Sequence, residues 1–399
     1  MKILHVHLNG PFTENWGYQE NLLSEEHKKM GHDVTVITNC YTFNDAGKIV
    51  YTEPVDKILK DGVRLIRVEK HSTFLKKYNN VFRPFKIYSI IEKLEPDYII
   101  NHGLIGSVSA FDVIKYVKKN KNVILVADNH EDYYVGPPAN TAMLKLLRFI
   151  RRKQNKVLLK HVKSIFCINP SCMLYAEKYY KIPLNRLEHL PLGSDYNLVR
   201  NLEKNNAREK FRSKHGYLAD DIIVCHGGKL DTQKRTLELV DAFEKIHKEL
   251  PEVKLVIFGP VLTDINEEFS LKIKNKDYIN YLGTLNTKEY YEVFMSSDIG
   301  VFPGGNSVLW QQATSCGNAL IIGNEYGMNH LDVGGNIKIL NSYSPEDIYN
   351  TVKEIVISSK YFNMKKIAQK NSESFFSYES IAKNILKYSI IPIDDHSKN

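Results

Sequence analysis

Short apolar runs alternate with helical patterns along the whole chain of 399 residues, and this alternation constrains the fold more than any other feature. One series of apolar runs ends near residue 169, and a second series begins at residue 222. Strands of a parallel sheet that is covered on both faces are continuous apolar runs, and β-α alternation is typical of such sheets. The sequence therefore predicts an α/β protein with two Rossmann-like domains, whose parallel sheets face each other across a cleft.

The predicted elements follow directly from these runs. The predicted strands are 2–8, 33–38, 63–68, 97–101, 122–127 and 164–169, then 222–227, 253–259, 278–283, 299–303 and 319–323. The predicted helices include 18–30, 105–119, 235–249, 287–296 and 345–358. A polar, highly charged stretch over 201–221 carries no strand pattern and separates the two series, as expected near a domain boundary.

Composition narrows the setting in which the chain works. The hydrophobic share is 43% and the charged share 25%, which is typical of a soluble globular protein. No apolar run approaches the roughly 18 residues that a membrane-spanning helix needs, and the first run is too short for a signal peptide. The five cysteines are scattered and include no CxxC pair, so we expect reduced thiols, a cytoplasmic location and no metal site.

The net charge of +8 allows an anionic partner. The richest basic segment, 145–163, has leucines and an isoleucine between its charges. It carries only Phe149 as an aromatic that might stack on bases, so we expect no nucleic acid. Two interpretations stay open: an ordinary solvated helix face, and peripheral contact with an anionic membrane surface.

Ligands of parallel sheets bind beyond the carboxyl ends of the strands, so the loops that follow strands are the candidate sites. In the loop over 226–239, glycines end a strand, and Lys229 and Lys234 flank a turn that opens a helix. Glycine lets a backbone approach a ligand closely, and cations near a helix N-terminus suit a diphosphate. The alternative is a polar loop whose lysines have no ligand.

The loop over 303–307 has the same pattern of paired glycines before a helix. We expect the backbone amides of Ser307, Val308 and Leu309 to point towards phosphate or sugar oxygens. The loop after the first strand, 9–20, lacks a GxGxxG fingerprint, which argues against an NAD-dependent dehydrogenase.

The densest polar cluster after a strand is 128–134, in which His130 is flanked by acidic residues. The acidic residues and the histidine lie within a single short segment, and no second histidine cluster is apparent, which disfavours a metal site. His130 fits better as a hydrogen-bonding partner of a hydroxyl-rich ligand. A loop histidine held only by its own neighbours is the alternative.

Several stretches together resemble glycosyltransferase family 4. They are GYQENLLSEEHKKMGHDVTVIT (17–38), HGGKLDTQKRTLELVDAF (226–243), YINYLGTLNTKEYYEVFMSSDIGVFPGGNSVLWQQATSCGNALII (278–322) and FSYESIAKNILKYSI (376–390). The second resembles the family's phosphate-binding loop, with Lys229 at the usual arginine, and the last resembles a C-terminal helix that crosses back to the N-terminal domain. The resemblance covers nearly the whole chain.

The resemblance implies a GT-B fold and a retaining transferase that uses nucleotide sugars. It implies an acceptor domain over 1–195, a donor domain over 196–375 and the crossing helix over 376–399. The family's Glu-x7-Glu pair falls on Gly304 and Gln312, so neither position is acidic. A neutral Gln312 can still accept one hydrogen bond from a ribose, although more weakly than a carboxylate. At Gly304, Asn306 or backbone amides would have to replace the missing glutamate. Gln311 leaves the helix in another direction, and we expect it to pack or cap.

The resemblance also implies roles for the candidate residues. The catalytic candidates are His130, Lys229 and Lys234, and the donor-binding candidates are Gly17, Gly228, Gly304, Asn306, Ser307, Val308, Leu309 and Gln312. Lysines would stabilise the leaving diphosphate, so we expect neither metal nor other cofactor. The expected partners are a nucleotide-sugar donor and a glycan or lipid-linked acceptor of bacterial surface polysaccharide assembly, at the inner face of the cell membrane. Two alternatives stay open: a GT-B sugar-nucleotide epimerase and a non-catalytic, glycosyltransferase-like binding subunit.

Overall fold

A computed structural model describes residues 1–44, 47–71, 85–104, 110–132, 141–324 and 328–389. The chain divides into two compact units. The first contains Met1–Pro191 together with the chain from Ile381 onward, and the second contains Leu192–Ser380. Each unit has its own sheet, and buried aliphatic side chains pack against each sheet.

The described residues of the first unit form ten strands. They are β1 (Lys2–His7), β2 (Asp33–Asn39), β3 (Tyr41–Phe43), β4 (Ile49–Tyr51), β5 (Val55–Ile58), β6 (Arg64–Val68), β7 (Tyr98–Asn101), β8 (Ile124–Asn129), β9 (Ile165–Cys167) and β10 (Leu187–His189). Eight of them form one sheet in the order β10-β9-β8-β7-β1-β2-β6-β5. Every pairing is parallel except that of β5 with β6, and β3 and β4 form a separate hairpin. The strand order reverses between β1 and β7, which is where ligands of such sheets bind.

The helices of this part of the chain are α1 (Gln19–Lys29), α2 (Tyr88–Leu94), α3 (Ala110–Lys119), α4 (Ala142–Leu158) and α5 (Pro170–Tyr175). Sequence signals explain several of their ends. Asn169 caps α5 by accepting from Cys172 N, and Pro170 occupies its first turn. On α3 the buried Val113, Ile114 and Val117 form the apolar stripe that packs on the sheet.

The second unit contains a six-stranded parallel sheet in the order β13-β12-β11-β14-β15-β16. Its strands are β11 (Ile222–Gly227), β12 (Val253–Phe258), β13 (Ile279–Tyr281), β14 (Ile299–Phe302), β15 (Ala319–Ile322) and β16 (Ile337–Ile339). The order reverses between β11 and β14, so the loops after these two strands frame the binding edge of this unit.

The remaining helices are α6 (Tyr196–Lys204), α7 (Ala207–Lys214), α8 (Thr236–Glu249), α9 (Asn266–Ile273), α10 (Thr287–Ser296), α11 (Leu309–Ser315), α12 (Pro345–Ile357), α13 (Lys360–Phe376) and α14 (Tyr378–Ile385). Asn286 and Glu289 form a capping box at the start of α10, and Ser344 caps α12 before Pro345. From Ile381 onward, α14 packs with the first unit.

Each predicted strand is present, with ends shifted by up to two residues. The sequence patterns missed the short strands β3, β4, β5, β10 and β16. The polar stretch 201–221, which has no strand pattern, carries the end of α6 and all of α7. Arg212 of α7 donates to the buried Asp298, so part of this polarity serves internal ion pairs. Of the predicted helix 105–119, residues 105–109 lie outside the described residues.

The five cysteines are buried and unpaired. In the described part of the chain, no helix is both long and apolar enough to cross a membrane.

Candidate functional site

The binding edge of the second unit is built from three glycine-bearing loops that touch one another. Gly228 follows β11 and donates to Phe258 O at 3.2 Å. Gly259 follows β12, and a Cβ built there would overlap the Gly228 carbonyl oxygen. Gly304 follows β14, and a Cβ built there would overlap the Gln233 carbonyl oxygen. Backbone therefore meets backbone along this edge, which only glycine permits.

Lys234 lies at the centre of this edge. It ends a 3-10 turn over Thr232–Lys234 that is capped by Asp231. Its Nζ donates to Asn306 O at 3.0 Å and lies 5.8 Å from the centre of the Trp310 ring. Burial lowers the pKa of Lys234 to about 8, although Asp231 acts in the opposite direction. The structure thus holds a half-buried ammonium group against the loop over 303–307.

The other predicted residues of this unit have different surroundings. A Cβ built at Gly228 would lie 3.5 Å from Leu309 Cδ1 and 3.8 Å from Lys234 Cε, so these three residues are brought together. Asn306 supplies the carbonyl that Lys234 contacts. Lys229 is adjacent to Gly228 in sequence, but its side chain is exposed.

At the start of α11, the backbone amides of Ser307, Val308 and Leu309 were expected to be available to a ligand, and the structure differs from this at Leu309. The Leu309 N–H donates to Ser307 Oγ at 3.3 Å, so a ligand would have to replace this long hydrogen bond. Val308 is the N-cap of the helix, and its carbonyl accepts from Gln312 N at 3.1 Å. The Ser307 hydroxyl is thus already engaged in closing the turn.

Gln312 is 6% exposed, and its side chain interacts with the Tyr290 hydroxyl, while its Oε1 is buried without a hydrogen-bond partner among the described residues. A buried amide oxygen without a partner costs free energy, so it marks a place where a donor is expected. Gln311, also buried, turns elsewhere: with its amide oriented to satisfy both atoms, it donates to Val308 O and Ser307 O at 3.2 Å. The two adjacent glutamines therefore have different surroundings.

The binding edge of the first unit is lined by imidazoles and carboxylates instead. His130 follows β8, and its Nε2 lies 3.7 Å from Asp128 Oδ2, within ion-pair distance but too long for a hydrogen bond. Burial would lower the pKa of His130, but the charges of Asp128 and Glu20 raise it to about 9. His130 is thus a cationic donor at neutral pH.

Glu20 and His7 complete this edge, and the sequence patterns did not single them out. Glu20 lies in the first turn of α1, and its Oε1 is 3.5 Å from His7 Nε2. Burial would raise the pKa of Glu20, but His7 and the nearby His130 and His102 lower it to about 2. The signal that could have revealed them is HVH at the end of β1, where two histidines occupy a buried strand.

Gly17 lies in the loop between β1 and α1, in the first unit. No atom lies within 4 Å of a Cβ built there, and its backbone is not in the left-handed region. The local structure therefore does not require glycine at this position, and its assigned role in donor binding stays a prediction. Within the described residues, no group of three or more His, Cys, Asp or Glu side chains could hold a metal ion.

Comparison with known proteins agrees with this architecture. The sequence profile of Glycosyltransferase Family 4 matches residues 21–198, and that of Glycosyl transferases group 1 matches residues 207–373. No curated protein matches the sequence significantly.

Solved structures resemble the chain over nearly its full length. A glycosyltransferase from Rickettsia africae has 15% identity and a TM-score of 0.70, covering 97% of both chains. HepE of Anabaena, crystallised with UDP, has 14% identity and a TM-score of 0.69, covering 98% of this chain and 99% of its own. WaaG, a glycosyltransferase involved in lipopolysaccharide biosynthesis, has 13% identity and a TM-score of 0.62, covering 97% and 99%. At these identities the likeness establishes the fold, which is GT-B.

The two profile matches fall on the two halves of that fold. The chain belongs to the glycosyltransferases that combine a family 4 domain with a group 1 domain, and it is a sugar-transferring enzyme.

Proposed function

We propose that this glycosyltransferase moves a sugar from a nucleoside-diphosphate donor to a glycan or lipid-linked acceptor, with retention of the anomeric configuration. The observation that carries the proposal is Lys234, a half-buried ammonium enclosed by glycine loops at the binding edge of the second unit. HepE has been crystallised with UDP and with UDP-glucose, which supports a nucleotide sugar as the donor here. The likeness to WaaG supports a role in bacterial surface polysaccharide assembly.

The donor is assigned to the second unit. Lys234 provides positive charge for a diphosphate, and the exposed Lys229, which follows Gly228 in the sequence, can add to it. The backbone at Gly228 and Gly304 can approach the diphosphate oxygens without side-chain hindrance. The unpartnered Oε1 of Gln312 can accept a hydrogen bond from a ribose hydroxyl. Ligand binding at this position would satisfy an atom that the protein alone leaves unsatisfied.

The proposed transfer uses no carboxylate nucleophile and follows the same-face reaction that the family resemblance implies. The bond between the anomeric carbon and the diphosphate oxygen breaks, and the acceptor hydroxyl oxygen bonds to the same face of that carbon. The acceptor proton moves to the departing phosphate oxygen. Negative charge grows on the diphosphate during this step, so Lys234 stabilises the transition state more than the ground state.

The acceptor is assigned to the first unit. His130, kept protonated by Asp128, can donate to a hydroxyl of the transferred sugar or of the acceptor. The carboxylate of Glu20 lies near enough to influence the charge of His130 and can accept from a second hydroxyl. This edge therefore suits a polyhydroxylated ligand.

A product assay tests the proposal against its alternatives. Purified protein is incubated with UDP-, GDP- and ADP-sugars, with and without a glycan or lipid-linked acceptor, and the products are separated. A transferase releases nucleoside diphosphate and extends the acceptor only when both are present. An epimerase converts the nucleotide sugar alone, and a binding subunit changes neither compound. Either of the last two results would overturn the proposed reaction.

We also propose that α4 contacts an anionic membrane. Leu146 and Phe149, both 54% exposed, lie three positions apart on this helix. Lys145, Lys153 and Lys156 are exposed as well, so basic and apolar side chains share the solvent-facing side. Such a face can insert its apolar residues between headgroups while the lysines contact anionic lipids.

Vesicle flotation tests this contact. Binding should increase with anionic lipid and decrease with salt, because the lysines act through screened electrostatics. The double variant Leu146→Ser/Phe149→Ser should lose binding. The control Leu271→Ser/Ile357→Ser removes two comparably exposed apolar residues from the second unit and should keep it. Equal loss in both variants, or no flotation of the wild type, would leave α4 as a solvated helix.

A further inference from the structure

A chain of three buried histidines runs through the first unit and ends on Asp128. His27 of α1 lies with its Nε2 3.1 Å from Ala382 O on α14, and its Nδ1 is 3.1 Å from His5 Nε2. His5 Nδ1 is 2.9 Å from His102 Nε2, and His102 Nδ1 is 2.6 Å from Asp128 Oδ2. All three rings are buried, and the transfer chemistry described above does not use them.

The anchoring carbonyl fixes the direction of every hydrogen bond in this chain. A carbonyl oxygen only accepts, so His27 must carry its proton on Nε2 and accept on Nδ1. His5 must then donate through Nε2 and accept on Nδ1, which makes His102 the donor at Nε2. A neutral His102 would be left to accept on Nδ1, although Nδ1 faces a carboxylate that also only accepts.

This conflict disappears when His102 carries a proton on both nitrogens. His102 then donates to Asp128 on one side and to His5 on the other, and every later bond has one donor and one acceptor. Burial, reinforced by neighbouring histidines, keeps the pKa of His5 well below its ordinary value, and burial lowers that of His27 to about 4. Burial would raise the pKa of Asp128, but His102 and His130 hold it well below its ordinary value. The hydrogen-bond directions from Ala382 O to Asp128 thus place the one additional proton on His102.

Asp128 is in turn the group that faces His130. Its Oδ1 accepts from Gly103 N at 2.6 Å, and its Oδ2 accepts from His102 while lying 3.7 Å from His130 Nε2. Both oxygens of Asp128 thus accept a hydrogen bond, and Oδ2 is the oxygen that faces both His102 and His130. His102 donates to the Asp128 carboxylate and so fixes its position. The second proton of His102 requires His5 as an acceptor, and His5 can accept because it donates in turn to His27.

We propose that His102, oriented by His5 and His27 against the Ala382 carbonyl, is a positioning residue that fixes the Asp128 carboxylate as the partner of His130. The hydrogen bonds of the histidine chain do not depend on the proposed function. Only the consequence for sugar transfer, that His130 is held in one position, rests on the proposed function.

Other titratable groups face this chain and must be considered in any pH experiment. His7 lies 5.8 Å from His102 between ring centres, and His32 lies 6.5 Å from His27. Glu20 faces His7 and influences the charge of His130. A positive charge on His7 or His32 would disfavour an additional proton on the nearby histidines of the chain. The negative charge of Glu20, in contrast, favours the protonated form of His130.

Nitrogen-15 NMR of histidine-labelled full-length protein reads these protons without any substrate. Between about pH 6 and about pH 8, where ordinary histidines titrate, His102 should show protons on both nitrogens, and His5 and His27 should be neutral with the proton on Nε2. A singly protonated His102, or His5 protonated on Nδ1, would overturn the proposal. Failure of the product assay described above would leave this result unaffected, so the two ideas fail separately.

Two substitutions of His27 show whether its hydrogen bonds or only its packing matters for the protonation of His102. His27→Leu removes both the donor and the acceptor, and the doubly protonated signal of His102 should fall by more than about half at neutral pH because a buried donor loses its chain of acceptors. The His130 titration midpoint should fall with it. His27→Gln keeps an amide donor and a carbonyl acceptor and should preserve most of both signals.

His226 provides the internal control, since it is buried in the second unit between Val301 O at 2.8 Å and Thr236 Oγ1 at 3.0 Å. Its signals should not change in either variant. If His27→Leu leaves His102 and His130 unchanged while it folds normally, the chain only fills space and the proposal is wrong.

Discussion

The residues that follow the central strands differ in chemical character between the two units. The second unit presents glycines, a half-buried lysine and a neutral glutamine, so its edge is shaped by backbone and one cation. The first unit presents three histidines at ion-pair distance from a carboxylate: His7 faces Glu20, and His102 and His130 face Asp128. Under the proposed function, similar sheets hold a diphosphate in one unit and a set of hydroxyls in the other. The difference lies in the residues just beyond the strands and not in the fold.

The largest expected effect concerns the cation of the second unit. Lys234→Ala should remove about 2–4 kcal/mol of transition-state stabilisation, as loss of a preorganised electrostatic donor does. Steady-state kinetics with donor and acceptor measures this as a fall in kcat/KM. Lys248→Ala, which removes an exposed lysine from α8, should leave kcat/KM unchanged. Turnover of the Lys234 variant within about threefold of the wild type would exclude its role, since that is well under 1 kcal/mol.

A second prediction addresses why glycine replaces the family's first glutamate. Gly304→Ala places a Cβ against the Gln233 carbonyl, and overpacking of this kind typically costs about 1–3 kcal/mol of unfolding free energy. Denaturant unfolding measures the loss. Gly17→Ala is the matched control, because no atom lies within 4 Å of its Cβ, and it should be neutral or slightly stabilising. Equal stability of the two variants would mean that the loop over 303–307 yields easily, and restoring a glutamate at 304 would then be feasible.

The adjacent glutamines provide a smaller but sharper contrast. Gln312→Glu should preserve or tighten nucleotide binding, by up to about 1–1.5 kcal/mol for a charge-assisted hydrogen bond to ribose. Gln311→Glu should not tighten binding, because its amide serves carbonyls of its own turn. Titration of nucleoside diphosphate and a melting curve for each variant decide between the two. If Gln312→Glu melts early and binds no nucleotide, the ribose role is wrong and both amides are packing groups.

The last prediction of this series tests the charge of the first unit. The pKa of His130 is raised from 6.5 to about 9, so its protonated form stabilises the folded state. That contribution is fully present below about pH 6.5 and is lost as the pH rises through about 9. Melting temperatures of the wild type should therefore fall more across this window than those of His130→Gln. Parallel curves would show that His130 is not held as a cation.

The sequence predicted the parts of this architecture that depend on local patterns. The apolar runs predicted both sheets, and the post-strand loops singled out Lys234 and His130 as candidates, because each signal lies within a few neighbouring residues. The roles of these two residues stay predictions. The histidine chain could not be predicted this way: His5 and His102 are 97 positions apart, and only the pairing of β1 with β7 brings them together. The crowding at Gly304 likewise comes from a loop some 70 positions earlier, and no local pattern reports it.

The central claim is that diphosphate binding belongs to the second unit and hydroxyl binding to the first. Calorimetric titration of a nucleoside diphosphate into Lys234→Ala and His130→Gln, side by side with the wild type, tests it most directly. Lys234→Ala should weaken binding by about tenfold or more, since a charge-assisted contact of about 1.5–3 kcal/mol is lost. His130→Gln should bind like the wild type, because a nucleoside diphosphate lacks the transferred sugar whose hydroxyl this residue is proposed to contact. Weakened binding in His130→Gln with unchanged binding in Lys234→Ala would contradict the claim.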